Sequence, residues 1–152
     1  MKNIENRLAT IEEAIGINKL CDWCAYWSKQ QRLFYDALAS QGVKLHRPKP
    51  KDLKYDRCKE CGRTLVYDLT FLTKQDREEY DRLAEWQAAE DEGCKPDRDW
   101  WARFIAVYDR EEAALRAFYG AAFDVAWQKT TYPELRKWME EKMQAATLNR
   151  ST

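Results

Sequence analysis

Residues 21–24 read CDWC, and residues 58–62 read CKECG. Two Cys-x-x-Cys pairs offer four thiolates, the number a tetrahedral zinc ion takes at about 2.3 Å from each sulfur. Each pair forms a turn that presents two sulfurs toward one point, and Gly62 permits a tight backbone around the second. Two such turns close the coordination sphere and leave no place for a water or a substrate. The ion is therefore expected to be structural. The predicted ligands are Cys21, Cys24, Cys58 and Cys61, and the predicted cofactor is a single zinc ion. An iron–sulfur cluster also takes four cysteines, and disulfides would require an oxidising compartment. Both remain weaker alternatives.

In ligand chemistry the two pairs resemble zinc-ribbon and treble-clef knuckles. The spacing departs from them, because 33 residues separate Cys24 from Cys58 where compact fingers use roughly 12 to 20. That interval has to hold a helix and a basic loop. Apolar residues Tyr26, Trp27, Leu33, Phe34, Ala37 and Leu38 recur at helical spacing, which predicts a helix from about Asp22 to Ser40 with Gly42 just past its end. The following VKLHRPKPKDLKYDR carries two prolines and many cations, so it reads as a wet, non-helical loop. Thr64 to Leu69 is rich in β-formers and predicts one strand or one arm of a small hairpin.

Outside this module the chain is helical. Ile4, Leu8, Ile11 and Ile15 form a two-heptad seam, too short to stand alone, that needs a partner. The expected partner is the rest of the chain, and a homodimer through residues 1–17 is the alternative. This opening helix loosely resembles the starts of many short phage-encoded proteins. Thr73 caps a helix running to about Glu92, before Gly93. Pro96, with Asp97 or Asp99 as the cap, is expected to open a long helix through Trp127, and a last helix starts from about Thr131 with Pro133 in its first turn. The expected fold is mainly α: a heptad helix over 1–17, a zinc-stapled module with a basic loop over 18–72, and a bundle of three helices over 73–152. The parts are expected to pack as one unit, with at most a short β-hairpin.

Charge bears on function. The chain balances 26 cations against 26 anions, yet residues 1–72 carry 13 against 9 and residues 73–152 carry 13 against 17. Lys44, Arg47, Lys49, Lys51, Lys54, Arg57 and Lys59 crowd one stretch, with Tyr55 among them as a ring for stacking on a base. The first functional expectation is a nucleic-acid-binding accessory or regulatory factor. The alternative is a protein-interaction adaptor or inhibitor of a macromolecular complex, working through the acidic faces of the later helices.

An enzyme has the least support. The chain has no Gly-rich phosphate loop, no GxSxG and no HExxH. Its one histidine, His46, reads as a surface loop residue, and Cys94 as a half-buried small hydrophobe. On a wheel with Trp101 at 0°, Glu112 falls at about 20°, inside the apolar stripe, with Glu111 on its edge. Glu112 is thus a candidate buried acid, to be weighed against a structural salt bridge. No apolar run approaches the ~20 residues of a membrane span. MKNIENRLAT lacks a signal-peptide core, which sets the expectation of a cytoplasmic protein.

Overall fold

The computed structural model describes residues 20–90 and 96–150. The heptads of residues 1–17, with the dimer they suggest, and Gly93 and Cys94 lie outside the described residues. Helix α1 spans Asp22–Ser40, and a single 3-10 turn covers Pro50–Asp52. Strands β1 (Leu53–Arg57) and β2 (Thr64–Asp68) form an antiparallel hairpin. Four further helices follow: α2 (Lys74–Glu90), α3 (Arg98–Tyr119), α4 (Ala121–Gln128) and α5 (Tyr132–Arg150). The chain is mainly α with one small hairpin beside a cluster of four cysteines. Among the described residues no helix is long and apolar enough to cross a membrane.

Local chemistry accounts for most boundaries. The Thr73 hydroxyl accepts the Asp76 N–H at 3.1 Å and opens α2. Asp97 accepts the Trp100 N–H at 2.9 Å and opens α3. Sequence alone predicts one helix from there to Trp127, but the chain breaks at Gly120. This residue adopts φ 64°, a backbone that side chains with a Cβ rarely take. The break redirects the chain, so that α4 lies against α1 while α3 packs on α2 and α5.

That turn builds the core. Phe34 and Leu38 of α1 meet Tyr119, Phe123 and Ala126, all buried. Leu38 and Phe123 are fully excluded from water, each stabilising the fold by roughly 1.5–3 kcal/mol. Polar ties follow the same seam. Buried Gln30 accepts the Thr131 N–H at 2.8 Å, and the Tyr26 and Thr131 hydroxyls meet at 2.6 Å. The first and second halves are therefore joined across α1 and α4.

Trp100, Trp101 and Phe104 invite comparison with a base-stacking platform but serve the core. The buried Trp100 ring stacks on Phe104 at 5.2 Å, and its indole N–H donates to the Leu83 carbonyl at 3.0 Å. Arginine ion pairs join the helices outside this core: Arg110 to Asp76, Arg103 to Glu79, and Arg136 to Asp109.

Candidate metal centre and the basic hairpin

Cys21 is the N-cap of α1, and its sulfur accepts the Cys24 N–H at 3.4 Å. The first pair thus sits at the N-terminal, positive end of the helix dipole. The second pair forms the turn of the hairpin. Cys58 N–H donates to the Arg63 carbonyl and Gly62 N–H to the Cys58 carbonyl, both at 2.8 Å. Gly62 closes that turn at φ 72°, the left-handed conformation glycine supplies without strain.

The two turns face each other. Sγ of Cys21 lies 3.7 Å from that of Cys58, and Sγ of Cys24 lies 3.6 Å from that of Cys61. All four sulfurs fall within 4.8 Å of one another. A tetrahedron with metal–sulfur bonds of about 2.3 Å has edges of about 3.8 Å. Cys24 and Cys58 are buried, and Cys21 and Cys61 half-buried. All four cysteines are free thiols.

The local electrostatics suit a cation. Backbone hydrogen bonds from Cys61 and Glu60 hold the Cys58 thiol below its usual range. Those from Cys21 and Arg63 pull Cys61 down to about 6. Burial pushes the Cys24 thiol up. Without a metal, a buried proton is therefore kept on Cys24, and a bound metal would displace it.

The basic stretch is more structured than expected. Leu53–Arg57 forms strand β1 against β2, in the register Tyr55↔Val66 and Arg57↔Thr64. Its own residues carry little β signal; the knuckle turn, which brings Arg57 opposite Thr64, sets the pairing. Alternation then sorts the cations. Tyr55 is 64% exposed, beside the 50% exposed Val66. Lys54 points the other way, to Asp81 at 2.8 Å, with its ammonium over the Tyr80 ring. Lys54 therefore leaves the expected contact set. Lys44, Arg47, Lys49, Lys51, Arg57 and Lys59 are exposed.

His46 is not a surface residue. Its side chain is only 7% exposed, wedged among Tyr35, Phe71, Phe118 and Tyr119. Its Nε2 lies 2.5 Å from an Asp68 carboxylate oxygen, its Nδ1 lies 2.5 Å from the Tyr119 hydroxyl, and its backbone N–H donates to that hydroxyl. An ionised Asp68 needs a donor, so Nε2 carries the proton and, in the neutral ring, Nδ1 accepts from Tyr119. Burial raises the Asp68 carboxyl, but hydrogen bonds from Thr70 and His46 outweigh it and hold it below the carboxylate range. The chain Tyr119–His46–Asp68 fastens the root of the basic stretch to the end of α3. A second clamp is Arg77, which donates to Asp52 and to the carbonyls of Leu69 and Leu72. Tyr119→Phe leaves two His46 groups without a partner, so urea denaturation should show a loss of about 1–3 kcal/mol. An unchanged midpoint would refute the latch.

Glu112 is not the buried acid. Its side chain is 19% exposed and pairs with Arg116 at 3.2 Å, an i,i+4 salt bridge. Glu111 takes that place instead, lining a small cavity with Leu72, Tyr80, Phe104, Val107 and Tyr108. Burial and the nearby Asp68 and Asp76 raise its carboxyl to about 7. The wheel placed Glu111 on the edge of the stripe; packing of α2 across that edge is what encloses it. No protein-family model, curated protein or solved structure matches this chain.

Proposed function

We propose that the protein is a zinc-stapled nucleic-acid-binding module whose contact surface is the basic hairpin. The observation that carries the reading is Tyr55, a ring 64% exposed on a strand whose register pairs it with Val66 and puts Arg57 on the same face. An exposed ring with Arg57 on its face and Lys49 and Lys51 upstream meets the two demands of single-stranded nucleic acid, phosphate neutralisation and base stacking. Residues 44–51 contain no acid, and the Asp52 that follows is tied to Arg77. Zinc is the ion of choice because four thiolates at tetrahedral spacing match its structural sites. Its role is to hold the hairpin turn against α1.

The alternative, an acidic face that engages a protein partner, loses part of its surface. Asp76 and Glu79 are already committed to Arg110, Arg103 and Arg82. Glu78 and Glu85 remain exposed.

Fluorescence anisotropy against single-stranded DNA, RNA and duplex across a salt series tests the reading. Charge reversal at Lys49 and Lys51 should weaken binding and flatten the salt dependence by about 0.7 per lost phosphate contact. Lys54→Ala should change affinity little, because its ammonium is already held by Asp81. Absence of salt-dependent binding to all three ligands would send the function to a protein partner.

A further inference from the structure

Trp23 is 56% exposed, although tryptophan is usually largely buried. It lies between the two cysteines of the first turn, and Tyr55 lies three residues before the first cysteine of the second. The Cys21–Cys58 and Cys24–Cys61 approaches bring these turns together, so the chain near each of the two facing turns carries an exposed ring. Trp23 is held edge-on by Trp27 at a centroid distance of 5.2 Å, which orients its ring without covering it.

The cations lead to this point. At one end His46 sits against Tyr35, with ring centroids 6.1 Å apart; at the other Cys58 sits against Cys21. Between Tyr35 and Cys21 α1 rises by about 21 Å. The stretch from Arg47 through Lys49, Lys51, Tyr55 and Arg57 therefore leads from the Tyr35 end of α1 to the cysteine cluster, with its middle tied to α2 through Asp52–Arg77 and Lys54–Asp81. At the 3.4 Å rise of a duplex strand, that length holds about six nucleotides, and fewer when a strand is extended.

We propose that this track binds a single nucleic-acid strand of about four to six nucleotides, with Trp23 as a second stacking ring in addition to Tyr55. The inference rests on the nucleic-acid reading above and adds the strandedness, the footprint and a contact outside the basic stretch. A duplex keeps its bases stacked on one another and offers no free faces to two separated rings. The occupant is chosen by charge: Arg47, Lys49 and Lys51 follow one another with no acid between them, Asp52 is held by Arg77, Asp56 is the acid beside Arg57, and both exposed rings lie toward one end of the path.

Labelled oligothymidylates and oligouridylates of roughly two to twelve nucleotides test the footprint, with polyphosphate as a polyanion without bases. Affinity should climb to about six nucleotides and then level off, with duplex and polyphosphate binding more weakly. Trp23→Ala should weaken the six-nucleotide complex about tenfold or more while leaving its salt dependence unchanged, and Trp23→Phe should recover most of the loss. If Trp23→Ala releases the metal, Trp23→Leu, which keeps an apolar contact with Trp27, makes the same comparison. A metal-loaded Trp23 variant that binds every length like the parent overturns the second ring and leaves the basic surface standing. Equal affinity for polyphosphate overturns the base contacts. A parent protein that binds no oligomer at all overturns the nucleic-acid reading itself.

Discussion

Cys58→Ser, or stripping of the metal with a strong chelator, should release the ion and unfold the hairpin tip together with the first turns of α1. Four-thiolate zinc sites contribute on the order of 10–16 kcal/mol to the folding of small peptides, and a two-stranded hairpin on its own is marginal in water. The turn of this hairpin is the second cysteine pair, so losing the ion removes what holds its tip to α1. Melting of the whole stretch 20–70 is the simple expectation from the cysteine spacing. The structure limits it. The C-terminal half of α1 is anchored by Phe34 and Leu38 against Phe123 and Ala126, and the hairpin root is clamped by Arg77 and by His46. Hydrogen exchange should therefore show protection lost near residues 21–27 and at the hairpin tip, 56–65, but kept around 34–38 and at the clamped hairpin root. Metal content measured on the same samples links the two effects. A Cys58→Ser protein that keeps both one bound ion and full protection would defeat the staple.

A second large effect concerns pH. The Glu111 carboxyl is raised from 4.5 to about 7 in the folded protein, by burial first and then by Asp68 and Asp76. The cavity wall contributes Tyr80 from α2 and Tyr108 from α3, and the buried Tyr108 hydroxyl has no hydrogen-bond partner. Tyr35 of α1 and Tyr132 of α5 also feel its charge. No cation among the groups that shift this carboxyl answers it. Between the two values the folded state holds a proton that the unfolded state has released. Stability is thus full below about pH 4.5 for this group and falls as pH rises through about 7, by at most about 3 kcal/mol. Glu111→Gln cannot ionise, so it should lie close to the parent near pH 5 and be about 2–3 kcal/mol more stable near pH 9. Parallel stability curves for the two proteins would exclude a buried, ionising Glu111. The acid limb has other owners. Asp52 and Asp68 are held below the carboxylate range by Arg77 and by Thr70 and His46 respectively. Their contribution is present at neutral pH and is lost as pH falls through the lowered values.

The short-range signals were readable as letters. Asp22–Ser40 follows from apolar spacing and a glycine stop, and the cap at Thr73 from a hydroxyl ahead of an acidic turn. The four cysteines follow from their pairing, since thiol chemistry and the Cys-x-x-Cys interval are local properties. Each depends on neighbours within a turn or two, where the residues themselves carry the free energy.

Other features are decided by which surfaces meet, and no local pattern carries them. Strand β1 has an unpromising sequence and exists because the knuckle turn presents it to β2. The apolar stripe runs unbroken past Gly120, and the break becomes necessary only because Phe123 and Ala126 have to reach α1. His46 is drawn inside because Tyr119 and Asp68, 73 and 22 residues away, converge on its two nitrogens. Glu111 and Glu112 are adjacent acids near one apolar stripe. The Arg116 guanidinium on the same helix keeps the second one wet and paired, while α2, packed against α3, closes over the first. A helical wheel counts only the neighbours on its own helix; burial of a charge is set by the helix that covers it, which long-range packing alone supplies.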